Sequence, residues 1–215
     1  MPWARPTGID ARAAREGVAH LTRVDPRLGA LIERVGPYGL GADRGPDHFG
    51  ALAQSIVYQQ LAGKVAATIH ARFLGLFPET PSAGAVAQMD ATALRAVGLS
   101  VAKTRALKDL ALATGDGRLA LPIEETIADD DVVERLTAVT GIGPWTAHMF
   151  LMFHLGRPDV WPIGDFAIRL SAKRLYGLRG EPSRARLERL AAPWRPWRSV
   201  ASWYLWRALD TPGRA

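Results

Sequence analysis

The sequence predicts an all-α protein, and three observations carry that prediction. Alternating β-branched runs bounded by turns are missing. Apolar residues instead recur at helical spacing nearly end to end. Helix-start signals punctuate the pattern, among them Asp25-Pro26, Ser100 and Asp165. The 215 residues are enough for about ten helices joined by short loops, arranged in two lobes.

The elements follow in order. Arg12–His20 reads as a short helix, and Asp25-Pro26 opens a second over Arg27–Val35. The loop GPYGLGADRGP comes next. DHFGALAQSIVYQQLAGKVAATIHARFLGLF then holds two helices that break near Gln59–Gly63. Phe49, Leu52 and Ile56 share one face of the first; Val65, Ile69 and Phe73 share one face of the second. Two short helices precede a longer one capped by Ser100. In LPIEETIADDDVVERLTAV another helix places acids in its first turn, where the helix dipole favours them. TGIGPWTAHMF opens the next helix, and the link GRPDVWPIG leads to a basic helix from Asp165 to about Tyr176. Two more close the chain within SRARLERLAAPWRPWRSVASWYLWRAL.

Composition narrows the function. There is no cysteine, which excludes disulfides, thiolate zinc sites and cysteine-ligated iron–sulfur clusters. No apolar run reaches the length of a membrane span, and the first residues lack the apolar core of a signal peptide. A soluble cytoplasmic protein without a membrane partner is expected. The formal charge is +6 and the pI about 10.1, which favours an anionic partner. The charge is uneven: Arg169 to Arg207 is dense in arginine, with Glu181 and Glu188 its only acids.

The strongest local signal is TGIGPW. Gly141 and Gly143 permit positive φ or close backbone approach, and Pro144 fits a first helical turn. The N–H groups of Gly143, Trp145 and Thr146 then point outward from a helix N-terminus, a surface that accepts phosphate. Backbone carbonyls of Thr137, Val139 and Ile142 offer a site for a monovalent cation, Na+ or K+, beside that phosphate. From physics alone, a plain glycine-rich turn with a core tryptophan stands equally open.

LTAVTGIGPWTAHMFLMF followed by DVWPIGDFAIR closely resembles the helix-hairpin-helix DNA glycosylases, most of all the 3-methyladenine DNA glycosylase II branch. SIVYQQLAGKVAATI and PWRPWRSVASWYLW resemble the same branch, so the matches span roughly residues 47 to 210. The resemblance implies a helix-hairpin-helix glycosylase fold with the active site between two lobes. It divides the chain into an N-terminal helical segment, 1–46, packing on the second lobe; a lobe carrying a DNA wedge, 47–130; and the hairpin, catalytic aspartate and terminal helices, 131–215. The β-rich N-terminal domain of larger bacterial relatives is not expected in this compact form.

Asp165 matches the family's catalytic aspartate. It also caps a helix, the ordinary role of an aspartate there. It is the only acid between Asp159 and Glu181, and a lone carboxylate facing phosphates weakens binding unless it serves another purpose. Cleaving a base–sugar bond leaves positive charge on deoxyribose, which an adjacent anion stabilises while it activates water. In superfamily members that also cut the backbone, a lysine matching Trp145 attacks the sugar. Indole cannot, so base release alone is implied.

The family match makes Trp145 and Trp206 pocket rings whose π faces attract a cationic methylated base. Trp161 and Tyr58 are weaker pocket candidates, and Met149 stands where a bacterial relative has a pocket tyrosine. Gln60, beside Leu61, matches the wedge that fills the gap left by a flipped base. Arg198 matches a basic residue beside the active site, holding a phosphate or helping to fix Asp165. Arg169 and Lys173 are DNA-contact candidates by charge and position. The implied protein is a monomer acting on damaged double-stranded DNA at the nucleoid, needing no cofactor. A different base preference (uracil or an oxidised purine) and an inert DNA-binding module are the competing readings.

Overall fold

The computed structural model describes residues 9–39 and 47–210. Among them all regular structure is helical: twelve α-helices and one 3-10 turn, with no strand. The two closely spaced N-terminal helices are α1 (Ala11–Val24) and α2 (Pro26–Val35). Then come α3 (His48–Tyr58), α4 (Gly63–Leu74), α5 (Ala83–Gln88), α6 (Ala91–Ala96) and α7 (Val101–Gly115). The remainder are α8 (Asp129–Thr137), α9 (Pro144–Phe153), α10 (Phe166–Tyr176), α11 (Arg184–Ala191) and α12 (Arg198–Asp210), with the 3-10 turn at Ala192–Trp194.

The described residues fall into two units: 47–150, and 9–39 together with 151–210. The division lies inside α9, between Phe150 and Leu151, where the sequence reading drew it at 130/131. The hairpin therefore groups with the first unit. The reason is local: Thr140 N–H donates to Asp109 Oδ2 on α7 at 2.7 Å, and Gly141 abuts Ala106 of the same helix.

In the first unit α3, α5 and α6 pack on α7. Phe49, Leu52 and Ile56 are buried as their spacing requires, and so are Leu107 and Leu110 of α7, on which α3 packs. The stripe expected on α4 is only partly right. Phe73 is buried with Ala66, but Val65, in the first turn of α4, is 49% exposed. Ser100 caps its helix as read, accepting from Lys103 N–H, and Asp47 also caps α3, accepting from Gly50 N–H.

In the second unit α12 is the core helix, with α1, α2 and α10 against it. Its Val200, Ala201, Tyr204 and Leu205 are completely buried. One carboxylate joins three elements here. Asp25 Oδ1 caps α2 through the N–H groups of Arg27 and Leu28, while Oδ2 accepts from Tyr176 Oη at 2.6 Å and Trp194 Nε1 at 2.9 Å. Burial and this partner push the Tyr176 phenol well above its ordinary pKa, so it stays a donor.

Candidate functional site

The hairpin is closed by Ile142 N–H donating to Val139 O at 3.1 Å. Gly141 has φ +82°, and a Cβ there would lie 2.6 Å from the Ala106 Cβ, so both backbone sign and space demand glycine. A Cβ on Gly143 would meet nothing within 4 Å, which leaves that side of the hairpin open. Pro144 begins α9, and Ala147 N–H returns to Gly143 O to close its first turn. A helix N-terminus presenting backbone donors beside an open glycine suits a phosphate oxygen.

The turn between α3 and α4 is the second DNA-facing candidate. Gln60 is exposed and has φ 55°, the one non-glycine residue with positive φ among the described residues. Such a conformation in a glutamine is held by its surroundings and marks a site where side-chain aim matters. Leu61 beside it is half-exposed. Two anchors fix the turn. Lys103 Nζ donates to Val57 O at 2.7 Å, and Gln59 Nε2 donates to Gly141 O at 2.9 Å and to Thr146 Oγ1 at 3.3 Å. The turn between α3 and α4 and the hairpin, far apart in sequence, are thereby brought together.

Of the pocket candidates in this unit, Trp145 is half-buried one residue into α9. Met149, one turn on, is 2% exposed and belongs to the interior as found. Tyr58 is half-buried with its ring edge-on to His70, 5.8 Å between centroids.

In the second unit Asp165 is the N-cap of α10 and is only 7% exposed. Its Oδ1 accepts from Ile168 N–H at 2.9 Å and from the Trp206 indole N–H at 3.1 Å. It caps a helix, as an aspartate there ordinarily does, and it is a buried carboxyl oriented by specific donors. Trp206 is 5% exposed and its ring lies 5.6 Å from Phe153. Trp206 is thus placed to hold Asp165, a role its sequence position alone did not suggest. Trp161 is buried edge-on against Trp194, with an indole N–H that has no protein acceptor.

The basic candidates separate. Arg198 is committed elsewhere: Nε donates to Asp159 Oδ1 at 2.7 Å and Nη2 to Asp159 Oδ2 at 2.9 Å, with its side chain 11% exposed. The sequence pointed to a phosphate contact or a hold on Asp165, and the partner the structure gives this guanidinium is Asp159. It straps the Arg157–Val160 link to the start of α12, helped by Ser199, which accepts from Val160 N–H and donates to Arg157 O. The competing partner, Asp159, was not weighed in the sequence. Arg169 pairs with Glu181 at 2.6 Å, and Lys173 is half-exposed in the last turn of α10. Gln59, Asp109 and Asp159 were missed because their partners lie dozens of residues away. Phe166, beside Asp165, is 75% exposed and was given no role in the sequence.

A DNA-3-methyladenine glycosylase of Schizosaccharomyces pombe is 32% identical over 192 residues, covering 87% of this chain and 84% of that protein. A solved structure of the S. pombe 3-methyladenine DNA glycosylase in complex with abasic DNA superposes with a TM-score of 0.78 at 31% identity, covering 91% of this chain and 97% of that one. A DNA-3-methyladenine glycosidase from Bacillus halodurans gives 0.81 at 36% identity, covering 91% and 89%. The chain spans only 59% of the length of a Bacillus subtilis relative to which it is 31% identical. Residues 53–196 match the HhH-GPD superfamily of base excision DNA repair proteins, and the chain belongs to that superfamily.

Proposed function

We propose that this protein is a DNA glycosylase that removes alkylated bases such as 3-methyladenine and 7-methylguanine from duplex DNA. The observation that carries the reading is Asp165, a buried carboxyl at a helix N-terminus gripped by the Trp206 indole. The N-glycosidic bond breaks with both electrons going to the base, leaving positive charge on the deoxyribose. The Asp165 carboxylate stabilises that charge and accepts a proton from the water whose oxygen bonds to the sugar carbon. An alkylated purine is already cationic and leaves without strong acid assistance, so one carboxylate suffices.

The hairpin grips phosphate through backbone N–H groups, without reading sequence. Gln60 fills the space vacated by the flipped base, and Trp145 offers a π face to the cationic lesion. With indole at position 145 the reaction stops at an abasic site, since no amine is there to form a Schiff base. Water is the only co-reactant in this scheme. In the same reading the backbone carbonyls of Thr137, Val139 and Ile142 would hold a monovalent cation, which neutral oxygens suit. Such an ion would add positive charge beside the bound phosphate. The protein acts as a monomer at the nucleoid in this reading; no described helix is long and apolar enough to cross a membrane.

Duplexes carrying single defined lesions test the reading, with Asp165→Asn alongside. Wild type should release 7-methylguanine and leave an intact abasic strand, and the variant should be slower by about 100-fold or more. Undiminished release by the variant sinks the mechanism, and protein-dependent strand cleavage sinks the stop at an abasic site. Release of uracil or an oxidised purine instead moves the substrate class, while tight binding with no release favours an inert module.

A further inference from the structure

We propose that Gln59 is a positioning residue that couples phosphate capture by the hairpin to insertion of the wedge. The inference rests on the glycosylase reading and deepens it. Gln60 carries the wedge role there, yet its exposed side chain is aimed by a backbone with φ 55°. That conformation costs about 1–2 kcal/mol for a residue with a Cβ, so neighbouring contacts must hold it. The carboxamide of Gln59 is the adjacent contact: Nε2 donates to Gly141 O at 2.9 Å and to Thr146 Oγ1 at 3.3 Å.

Both acceptors belong to the phosphate-facing element. Gly141 lies in the hairpin and Thr146 in the first turn of α9. The same hairpin is pinned from the other side by α7, through Asp109 to Thr140 N–H and through Ala106 to Gly141. That helix also holds the base of the wedge turn, since Lys103 Nζ donates to Val57 O. Successive turns of α7 therefore support the two DNA-contacting elements, and Gln59 closes the gap between them. A phosphate that draws on the hairpin backbone acts on the peptide of Gly141, and Gln59 transmits that restraint to the residue next to it, the wedge.

Ordering by this carboxamide matters only when a side chain must displace a paired base. A lesion with no opposing base to displace asks less of the wedge. The two situations separate a positioning role from a merely structural one.

The experiment compares single-turnover base release by wild type, Gln59→Leu, Gln59→Glu and Thr146→Val on two substrates: 7-methylguanine paired with cytosine in duplex, and the same lesion opposite an abasic analogue. Thermal unfolding of each variant verifies folding. Gln59→Leu should lose about 10- to 100-fold on the paired duplex. That loss should exceed its loss on the unpaired lesion by about tenfold. Gln59→Glu sets a carboxylate against the Gly141 carbonyl and should lose at least as much, while Thr146→Val should show the same selectivity in weaker form. Adding Gln60→Ala to Gln59→Leu should bring little further loss, because the two residues act as one device. Equal losses on both substrates, no loss in either, or full additivity with Gln60→Ala would overturn the coupling. A wild type silent on every lesion sinks the glycosylase reading itself, and is distinguishable from those outcomes because it precedes any comparison of variants. Should Gln59→Leu fail to fold, the selectivity of Thr146→Val decides the matter.

Discussion

The Asp165 carboxyl and the Trp206 indole share one hydrogen bond, and a single substitution separates its contribution from that of ring packing. Trp206→Phe keeps an aromatic ring near Phe153 but removes the donor that holds Asp165 Oδ1 at 3.1 Å. A hydrogen bond to a charged group contributes about 1.5–3 kcal/mol, so the single-turnover rate should fall about 10- to 100-fold with the fold intact. An unchanged rate would mean that the Trp206 indole is not what orients the carboxylate. At this scale the sequence was legible where chemistry is local. Asp165 stood out as an isolated acid in a basic stretch, and GIGPW marked a tight turn into a helix. It was not legible where a residue is defined by a distant partner. Nothing in the sequence showed that Arg198 pairs with Asp159, or that Gln59 donates to Gly141 O. Met149 and Trp206 were named for pocket roles, but spacing along a helix does not disclose that both are nearly fully buried.

Elements were easier to read than contacts, because caps and periodicity are written in consecutive residues. Asp25-Pro26, Ser100 and Asp165 each sit at a helix start with the side chain accepting a backbone N–H. Helix α1 is longer than the expected Arg12–His20, running Ala11–Val24, because Asp10 caps it and nothing breaks it before Asp25. The grouping of the hairpin with the first unit was not readable, since it depends on Asp109 and Ala106 of α7. That dependence makes a prediction about the element. Gly141→Ala places a Cβ at 2.6 Å from Ala106 Cβ in a backbone at φ +82°. The left-handed strain and the overpacking together should destabilise the protein by about 2–4 kcal/mol. A urea titration measures it, and a filter-binding assay should show weaker duplex binding as the hairpin shifts. Gly143→Ala, with nothing within 4 Å of its Cβ, should leave stability nearly unchanged and report on DNA contact alone. Equal stability losses at the two glycines would refute the packing argument.

Protonation reaches the whole molecule through two histidines of the first unit. His48 Nδ1 accepts from Ile123 N–H at 2.9 Å, so it must be unprotonated, and its ring meets Phe150 edge-on. His70 lies between Tyr58 and Phe73. Burial lowers both pKa values below the ordinary imidazole value of about 6.5, with the Asp47 charge opposing it weakly at His48. The folded state therefore binds fewer protons than the unfolded chain wherever the unfolded imidazoles titrate. Stability rises with pH across that window; it is fully present above about 6.5 and is lost as pH falls through the depressed folded values. The Asp109 carboxyl works in the same direction but lower, because its hydrogen bonds with Thr140 hold it below the usual carboxylate range and its contribution is lost only under about pH 3.8. Acid should accordingly weaken the fold in two separate stages, the first set by imidazoles and the second by carboxylates that pin the hairpin. Urea midpoints between pH 8 and pH 5 should be level at the alkaline end and decline below about 6.5. His48→Gln with His70→Gln should flatten that decline, since neither amide titrates, while leaving the later carboxylate stage in place. A wild-type midpoint constant down to pH 5 would show that the imidazoles remain as accessible to protons in the folded chain as in the unfolded one.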